Sequence, residues 1–283
     1  MNAKEMVARA KHLPPVSHAA LKLVSLLGQS VVSNEDIVQV LKCDNVLTAK
    51  LLRACNSPAL GLEEPVSSID QAVLILGHNQ ILQMVLNLTF SSTMAVPLAG
   101  YAVEATELWS HSLVTATAAE VAASHGLQVE VDPPIAFTIG LLHDIGKLVM
   151  NEVLTVQAQF GIRERITKEG MSRVEAERKV TGADHAEVGA CLLATWRLPD
   201  AITEAVANHH QPVFTPTPRL SVLAYLANCL AHLGGSSPGW EAYALRADDN
   251  LAQALNLSEN DLESLVIKVR DRFDKLNEFM KVA

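Results

Sequence analysis

Apolar residues in the first third of the chain recur three and four positions apart, which is the spacing of a helix face. Between residues 15 and 55 this pattern predicts three short helices, and the stretches 67–76 and 81–88 predict two more. Polar residues mark the helix ends, and Ser33 with Asp36 is typical of a capped helix start. The N-terminal part of the chain is therefore predicted to be helical throughout.

Residues 91–100 are rich in Ser, Thr, Pro and Gly, which indicates a boundary between two helical lobes. Beyond this boundary the helical periodicity continues in longer, Ala-rich segments. These predicted helices span residues 103–124, 134–143, 153–169, 184–196, 199–209 and 219–233, with a last one from 258. The pattern predicts an all-α protein in three parts. They are an N-terminal helical lobe (1–95), a helical bundle on which it packs (96–215) and a C-terminal helical extension (216–283).

Composition supports a helical core. Hydrophobic residues make up 49% of the chain and aromatic residues only 4%, so the interior is expected to consist of Ala, Leu, Val and Ile, which suits closely packed helices. The four cysteines, Cys43, Cys55, Cys191 and Cys229, are far apart and form no Cys-x-x-Cys pair. We therefore expect them to be small core residues, neither metal ligands nor disulfide partners.

Charge and hydropathy disfavour two classes of partner. The formal net charge of −9 disfavours a surface that neutralises the phosphates of nucleic acid. No apolar run approaches the ~18 residues that a membrane span needs, and the N-terminal segment lacks the apolar core of a signal peptide. A cytoplasmic protein with neither a membrane nor a nucleic-acid partner is expected, and the sequence leaves the oligomeric state open.

The second lobe holds histidines with acidic neighbours. His143 and Asp144 are adjacent at the end of an apolar helix, so an imidazole and a carboxylate can approach one metal site from different sides. His185 lies at a predicted helix start, and the pair His209 and His210 ends the next helix. Histidine and carboxylate at such positions predict a metal centre.

Three further residues carry less specific signals. Glu107 lies four residues before His111, the geometry by which one helix offers two ligands to a site, although a solvated helix face gives the same spacing. Asp184 is expected to cap the helix that begins with His185. Lys147 either binds an anion or, as a positive charge near the C-terminal end of a helix, interacts favourably with the helix dipole.

The order of these residues resembles the ligand order of the HD superfamily of metal-dependent phosphohydrolases, including its HD-GYP phosphodiesterase branch. The ligands that the resemblance implies are His111, His143 and Asp144 for a first ion, and Asp144, His185, His209 and His210 for a second. It also implies Glu107 as an additional ligand. Asp144 and Lys147 would be the catalytic residues, and Lys147 would hold a substrate phosphate. Two divalent ions are expected, Fe or Mn first and Zn or Ni as alternatives, because a mixed His and carboxylate site accepts any of them.

Two positions depart from the HD pattern. Its final Asp is matched here only by Asn228, within LAYLANCLAHL, and a neutral amide is a weaker ligand for a hard cation. The first-ion site is weakened accordingly. After His210 the chain reads QPVF, with no Gly-Tyr-Pro loop, so cyclic-di-GMP is disfavoured as a substrate.

Successive blocks of the chain resemble the HDOD domain. The blocks read LPPVSHAALKLVSLL, NVLTAKLLRACNSPALG, SSIDQAVLILG, ELWSHSLVTATAAEVA, LLHDIGKLV, DHAEVGACLLATWRLP and VANHHQP. They span Leu13 to Pro212. The resemblance implies an N-terminal helical lobe on an HD-type bundle. It also implies a module of bacterial signal transduction, often attached to regulatory domains and usually without demonstrated catalysis.

Two functional hypotheses follow. The first is a signalling module that carries an HD-type metal centre and acts by binding a signalling protein or a small phosphorylated ligand. The second is a metal-dependent phosphohydrolase that acts on a nucleotide or another phosphoester. The remaining histidines have no partner at ligand spacing and are expected to be surface or core residues. They are His12, His18, His78, His125 and His232.

Overall fold

A computed structural model describes residues 1–13, 16–27, 32–62, 64–125, 131–211, 220–239 and 251–282. These ranges contain α-helices and two short 3-10 turns, and no strand. The helices are α1 (Ala3–Arg9), α2 (His18–Leu26), α3 (Asn34–Lys42), α4 (Asn45–Cys55), α5 (Ile69–Leu76), α6 (His78–Met94), α7 (Glu107–Ala123), α8 (Pro133–Leu142), α9 (Gly146–Val153), α10 (Val156–Glu169), α11 (Arg173–Thr181), α12 (His185–Thr195), α13 (Asp200–Ala207), α14 (Leu220–Leu233), α15 (Leu251–Ala254) and α16 (Glu259–Val282). The predicted all-α class is confirmed.

The two capped helix starts that the sequence predicts, at Ser33 and at Asp184, are confirmed. The Ser33 side chain accepts a hydrogen bond from the Asp36 amide and the Asp36 carboxylate accepts one from the Ser33 amide, which is a complete capping box. Asp184 caps α12, where its Oδ1 accepts from the amide of Glu187 at 2.9 Å. The α12 cap fixes where this helix begins and therefore where His185 lies.

Several helix boundaries differ from the prediction. Helix α6 runs on to Met94, because the polar residues after Phe90 continue the helix and Thr93 is buried within it. Helices α1, α9, α11 and α15 were not predicted. In α11 the buried face carries Arg173 and Glu177, so the helix lacks the apolar periodicity that marks the others. Helix α9 begins at Gly146, directly after the turn that carries His143 and Asp144.

The hydrophobic core is continuous across the predicted lobe boundary at residue 95. One buried cluster includes Leu86 and Phe90 of α6 together with Phe137 and Leu141 of α8. A second cluster joins α7, α14 and α16, with Leu265 of α16 fully buried. The second predicted boundary, at 215, lies outside the described residues, and the three-part division stays a prediction.

The cysteine prediction is right for two positions and wrong for one. Cys55 and Cys229 are buried, and burial raises the pKa of the Cys55 thiol to about 11. Cys43 is exposed because it caps the C-terminal end of α3, and Cys191 is half-buried.

Among the described helices, none is long and apolar enough to cross a membrane alone. Helices α5 and α6 reach the required length and hydropathy only when taken together, and they are bent by 118° relative to each other.

Close approach of two helices depends on glycine. At Gly146, where α9 begins, an added Cβ would overlap the carbonyl oxygen of His185 and would lie 2.5 Å from the amide nitrogen of Gly189. Both of these groups are backbone atoms of α12, which cannot rotate away. The turn that carries Asp144 is therefore held against the start of α12 by the absence of a side chain at residue 146.

We expect Gly146→Ala to lower the free energy of unfolding by about 3 kcal/mol or more, since the methyl group must displace α12. Gly161→Ala is a matched control within α10, because its added Cβ would have no neighbour nearer than 3.8 Å. That control should instead stabilise the protein by about 0.5–1 kcal/mol through helix propensity. Denaturant unfolding of both variants tests the account, and equal effects of the same sign would contradict it.

Candidate metal centre

The centre is built on the turn between α8 and α9. Helix α8 ends at Leu142, and His143 and Asp144 follow in a turn that leads directly into α9. The Nδ1 atom of His143 donates a hydrogen bond to the carbonyl oxygen of Gly140 at 2.8 Å. This bond fixes the ring so that the other nitrogen, Nε2, is available on the side of Asp144.

The other histidines are fixed in the same way by different elements. His111 lies within α7, and its Nδ1 donates to the carbonyl oxygen of Ser236 at 3.0 Å. His209 follows α13, and its Nδ1 donates to the carbonyl oxygen of Val206 at 2.7 Å. In each case the acceptor is a backbone carbonyl, so the proton sits on Nδ1 and Nε2 keeps its lone pair.

His185 has a carboxylate as its anchor. Its Nδ1 lies 2.7 Å from Oε2 of Glu177, and the same oxygen accepts the backbone amide of His185 at 2.9 Å. Glu177 is fully buried on α11. A carboxylate behind a histidine in this way is the usual support of a metal ligand, because it orients the ring and makes it a stronger donor.

The Nε2 atoms converge on the carboxylate of Asp144. Its Oδ2 lies 3.2 Å from Nε2 of His143 and 3.8 Å from Nε2 of His111. Its Oδ1 lies 3.3 Å from Nε2 of His185 and 3.8 Å from Nε2 of His209. The carboxylate thus lies between two sets of nitrogen ligands, one at each oxygen.

His210 completes the second set. Its Nε2 lies 2.9 Å from Nε2 of His185. Potential ligand atoms lie within 4.8 Å of one another in two groups that share Asp144. The groups are Asp144 with His185, His209 and His210, and Asp144 with His111 and His143. The structure brings together six of the residues predicted as ligands, and each group has the size and composition of a metal site.

Unpartnered polar atoms support a cation in this position. The Nε2 atoms of His111, His143 and His209 and the Oδ1 atom of Asp144 are buried without a hydrogen-bond partner. Each such atom costs about 1–3 kcal/mol if it stays unpaired. A metal ion would satisfy them together, since imidazole nitrogen and carboxylate oxygen are ligands that Fe, Mn, Zn and Ni accept. The donor set therefore fits a divalent transition metal.

The protonation states also suit metal binding. Burial, together with neighbouring histidines, holds the pKa of His111, His209 and His210 well below the usual range. These rings are neutral near pH 7 and need not lose a proton before they bind an ion. His185 differs, because burial lowers its pKa but Glu177 and Asp144 raise it, to about 9.

Lys147 lies inside the centre, not at an open substrate site. Its Nζ donates to Oδ2 of Asp144 at 2.6 Å, and the side chain is only 1% exposed. The ammonium lies 5.9 Å from the ring centre of Tyr101. Burial lowers the pKa of Lys147, and His143 and Lys147 hold the pKa of Asp144 well below its usual range against the effect of burial. Lys147 was expected to bind a substrate phosphate, but in this structure α9 directs its side chain towards Asp144.

The structure does not bring Glu107 to the centre. Glu107 is the first residue of α7, is exposed, and its Oε2 accepts the backbone amide of Glu104 at 2.7 Å. The side chain satisfies the helix start instead of meeting His111. Asn228 is buried on α14, and its Oδ1 has no hydrogen-bond partner, so its predicted role as a ligand stays a prediction.

Sequence reasoning missed two residues next to the centre. Glu177 belongs to a helix that was not predicted, and its only signal was an acidic residue eight positions before His185. His232 was expected to be a surface or core residue, and its position beside His111 was not predicted. The ring of His232 lies 5.0 Å from the ring of His111. A histidine one turn after Asn228 was the available signal.

In the described part of the chain most of the centre is buried, and only His210 is half-buried. His111, His143, Asp144, His185 and His209 are at most 1% exposed. Three large cavities, of about 940, 570 and 220 Å³, have none of the ligand residues in their walls. The largest lies between α1, α12 and α13, on the face of α12 that does not carry His185.

The helical fold and the histidine–aspartate cluster define a protein of the HD type. The family model of the HDOD domain matches residues 13–212. The chain therefore belongs to the HDOD family.

Three solved structures share the fold. An HDOD domain protein from Geobacter sulfurreducens is 23% identical, with a TM-score of 0.67 over 99% of this chain and 92% of its own. A candidate phosphohydrolase from Shewanella amazonensis SB2B is 21% identical, with a TM-score of 0.70 over 98% of this chain and 97% of its own. A candidate signal transduction protein from Marinobacter aquaeolei VT8 is 20% identical, with a TM-score of 0.75 over 100% of this chain and 61% of its own.

A relative is also found among curated sequences. A protein of Treponema pallidum (strain Nichols) is 24% identical over 249 residues, which are 83% of this chain and 45% of the relative. The chain thus spans less than half the length of that relative.

The buried ion pair predicts a metal-dependent stability. Lys147→Met should lower the free energy of unfolding of metal-free protein by about 3–5 kcal/mol, because it leaves the Asp144 carboxylate buried without its cation. Saturating Mn²⁺ should recover most of this loss, since an ion supplies the missing positive charge. Denaturant unfolding with chelator and with Mn²⁺ measures both effects.

The control for this variant is Lys168→Met. Lys168 forms an ion pair of the same length, 2.6 Å, with Glu164, but on the exposed surface of α10. Its removal should change stability little, with or without Mn²⁺. If Lys147→Met lowers the free energy of unfolding no more than the control does, or if its stability does not respond to Mn²⁺, Asp144 is not a ligand of a metal site.

Glu177→Gln tests the support of His185. We expect metal affinity to fall by about 10–100-fold, because the amide holds the ring less firmly and makes it a weaker donor. Isothermal titration of chelator-stripped protein with Mn²⁺ or Zn²⁺ gives the affinity. Glu169→Gln, an exposed change at the end of α10, is the control. Unchanged affinity in Glu177→Gln would remove His185 from the ligand set.

Proposed function

We propose that the chain is a cytoplasmic regulatory module of bacterial signal transduction, built around a buried metal centre. In this proposal it acts by binding a signalling protein or a small phosphorylated ligand. The observation that carries the proposal is the burial of the centre, in which five of the six potential ligand residues are at most 1% exposed and His210 is half-buried. A substrate would have to reach an ion, whereas a regulatory ion needs only to hold helices in place.

The residues that would hold the metal come from separate elements. They are His111 of α7, His143 and Asp144 of the α8–α9 turn, His185 of α12, and His209 and His210 after α13. Two ions are proposed, Fe or Mn first and Zn or Ni as alternatives, because Asp144 has a nitrogen set at each oxygen. When bound, the ions would supply positive charge that links these elements through the shared carboxylate.

This linkage is how we propose that a signal is transmitted. An ion binds only one arrangement of α7, α12 and α13 well, so its gain or loss shifts the population of helix positions. Helix α12 extends from His185 at the centre to Ala190 and Ala194 at the wall of the largest cavity. A change at its first residue can therefore reach a surface on which a partner could bind.

The alternative is a metal-dependent phosphohydrolase that does not act on cyclic-di-GMP. It is favoured by the nearly complete HD ligand set and by the fold shared with a candidate phosphohydrolase from Shewanella amazonensis SB2B. In that role the ions would act as Lewis acids on a phosphoester. Asp144 would hold both ions, and Lys147 would have to leave Asp144 in order to bind a phosphate.

Hydrolysis assays separate the two functions. Metal-loaded protein is tested with Mn²⁺ or Fe²⁺ against nucleotides, p-nitrophenyl phosphate and bis(p-nitrophenyl) phosphate, and it should release phosphate, nucleotide products or p-nitrophenol no faster than His143→Ala. The His18→Ala variant, which changes an exposed histidine at the start of α2, controls for loss of a histidine elsewhere. Turnover that is kept in His18→Ala and lost in His143→Ala would establish the alternative in place of a purely regulatory role.

Hydrogen exchange tests transmission directly. Metal loading should slow amide exchange in α7 and along the whole of α12, as far as the wall of the largest cavity. Local opening of these helices would require loss of the ion. Helix α3, which carries none of the ligand residues, serves as an internal reference and should not respond. Protection limited to the residues next to the ligands would contradict a signalling role for the centre.

A further inference from the structure

Helix α14 packs against α7 and carries two polar side chains on the face beside His111. Asn228 and His232 are four residues apart and therefore lie one above the other on the helix. We propose that His232 is a further ligand of the centre, acting with Asn228 at the ion on the side of His111 and His143. This inference rests on the metal centre proposed above and adds a ligand that the HD pattern does not contain.

The ring of His232 continues the set of contacting imidazoles. Its centre lies 5.0 Å from that of His111, and the ring of His111 lies 5.3 Å from that of His143. Established neighbours within the cluster are spaced alike, with His143 and His209 at 5.0 Å. The ring of His232 is thus as close to that of His111 as neighbouring rings within the cluster are to one another.

The ring of His232 is also oriented by a hydrogen bond at Nδ1. Its partner is Oγ of Ser237 at 2.7 Å, and when this hydroxyl accepts the Nδ1 proton, Nε2 is the atom that would meet an ion. The neighbouring residue, Ser236, accepts the Nδ1 proton of His111 through its carbonyl oxygen. One loop after α14 therefore anchors both histidines. Its turn depends on Gly235, whose φ of 89° disfavours any residue with a side chain.

Asn228 supplies a separate observation on the same face. Its side chain is 3% exposed, and its Oδ1 is buried with no hydrogen-bond partner. A buried carbonyl oxygen without a donor is costly, and a cation would satisfy it. Nε2 of His111, on the adjacent helix, is buried and unpartnered as well. Asn228 alone is a weak substitute for an aspartate, and a histidine one turn later provides the stronger donor that this ion needs.

Cobalt titration tests the assignment, because the visible absorption of Co²⁺ reports the number and kind of its ligands. Chelator-stripped wild type, His232→Ala and the control His78→Ala, an exposed histidine at the start of α6, are titrated with Co²⁺ alone. We expect one of the bound ions to be weakened by at least about 10-fold in His232→Ala, with a changed spectrum. His78→Ala should match wild type.

The outcomes separate this inference from the metal centre itself. Wild type that binds no Co²⁺ contradicts both. Wild-type binding with an identical affinity and spectrum in His232→Ala contradicts the role of His232 alone. Circular dichroism confirms that each variant is folded before its titration is interpreted.

A second variant leaves every ligand in place. Ser237→Ala removes only the hydroxyl that holds Nδ1 of His232, so it should weaken the same ion in the same direction, by less than His232→Ala. Ser110→Ala, an exposed serine beside the same loop, is the control and should not change Co²⁺ binding. If Ser237→Ala and Ser110→Ala bind alike with the wild-type spectrum, His232 is not positioned as a ligand.

Rescue tests whether His232 and Asn228 serve one ion. Asn228→Asp introduces the carboxylate of the HD pattern, and a carboxylate is a stronger ligand than an amide. The double variant Asn228→Asp/His232→Ala should therefore bind Co²⁺ more tightly than His232→Ala, by about 10-fold or more. A double variant as weak as His232→Ala would contradict a shared ion.

Discussion

The structure depends on one buried charge, the carboxylate of Asp144. A carboxylate at 1% exposure is stable only when cations or donors surround it. The chain meets this requirement with Lys147 at one oxygen and histidine nitrogens from four elements at both. Gly146 then lets the turn that carries Asp144 approach the start of α12 closely enough for His185 to take part.

The same charge links stability and function. Without metal, Lys147 is the cation nearest to Asp144, while several histidine nitrogens remain unpaired. With metal, the positive charge would be supplied by ions that those nitrogens also bind, and the pair with Lys147 would no longer be needed. In the function proposed above, exchange between Lys147 and a metal ion at this carboxylate would make the element respond to metal.

The fold and much of the site could be predicted because their signals are local. Caps such as Ser33 and Asp184 lie within four residues of the groups that they satisfy, and the ordered His and Asp positions are visible along the chain. Glu177 and His232 could not be assigned, because their contacts span helices whose packing the sequence does not give. The prediction that Glu107 joins His111 in one site did not allow for its position at the start of α7. There its carboxylate accepts a hydrogen bond from the backbone amide of Glu104.

The central claim is that this cluster binds metal at both oxygens of Asp144. Its most direct test is anomalous diffraction from crystals of protein purified without chelator, recorded at the absorption edge of the metal found. The account predicts two peaks, one between Oδ1, His185 and His209 and one between Oδ2, His111 and His143. Folded protein with no peak at either oxygen, and with Lys147 still paired to Asp144 after soaking in Mn²⁺, would contradict it.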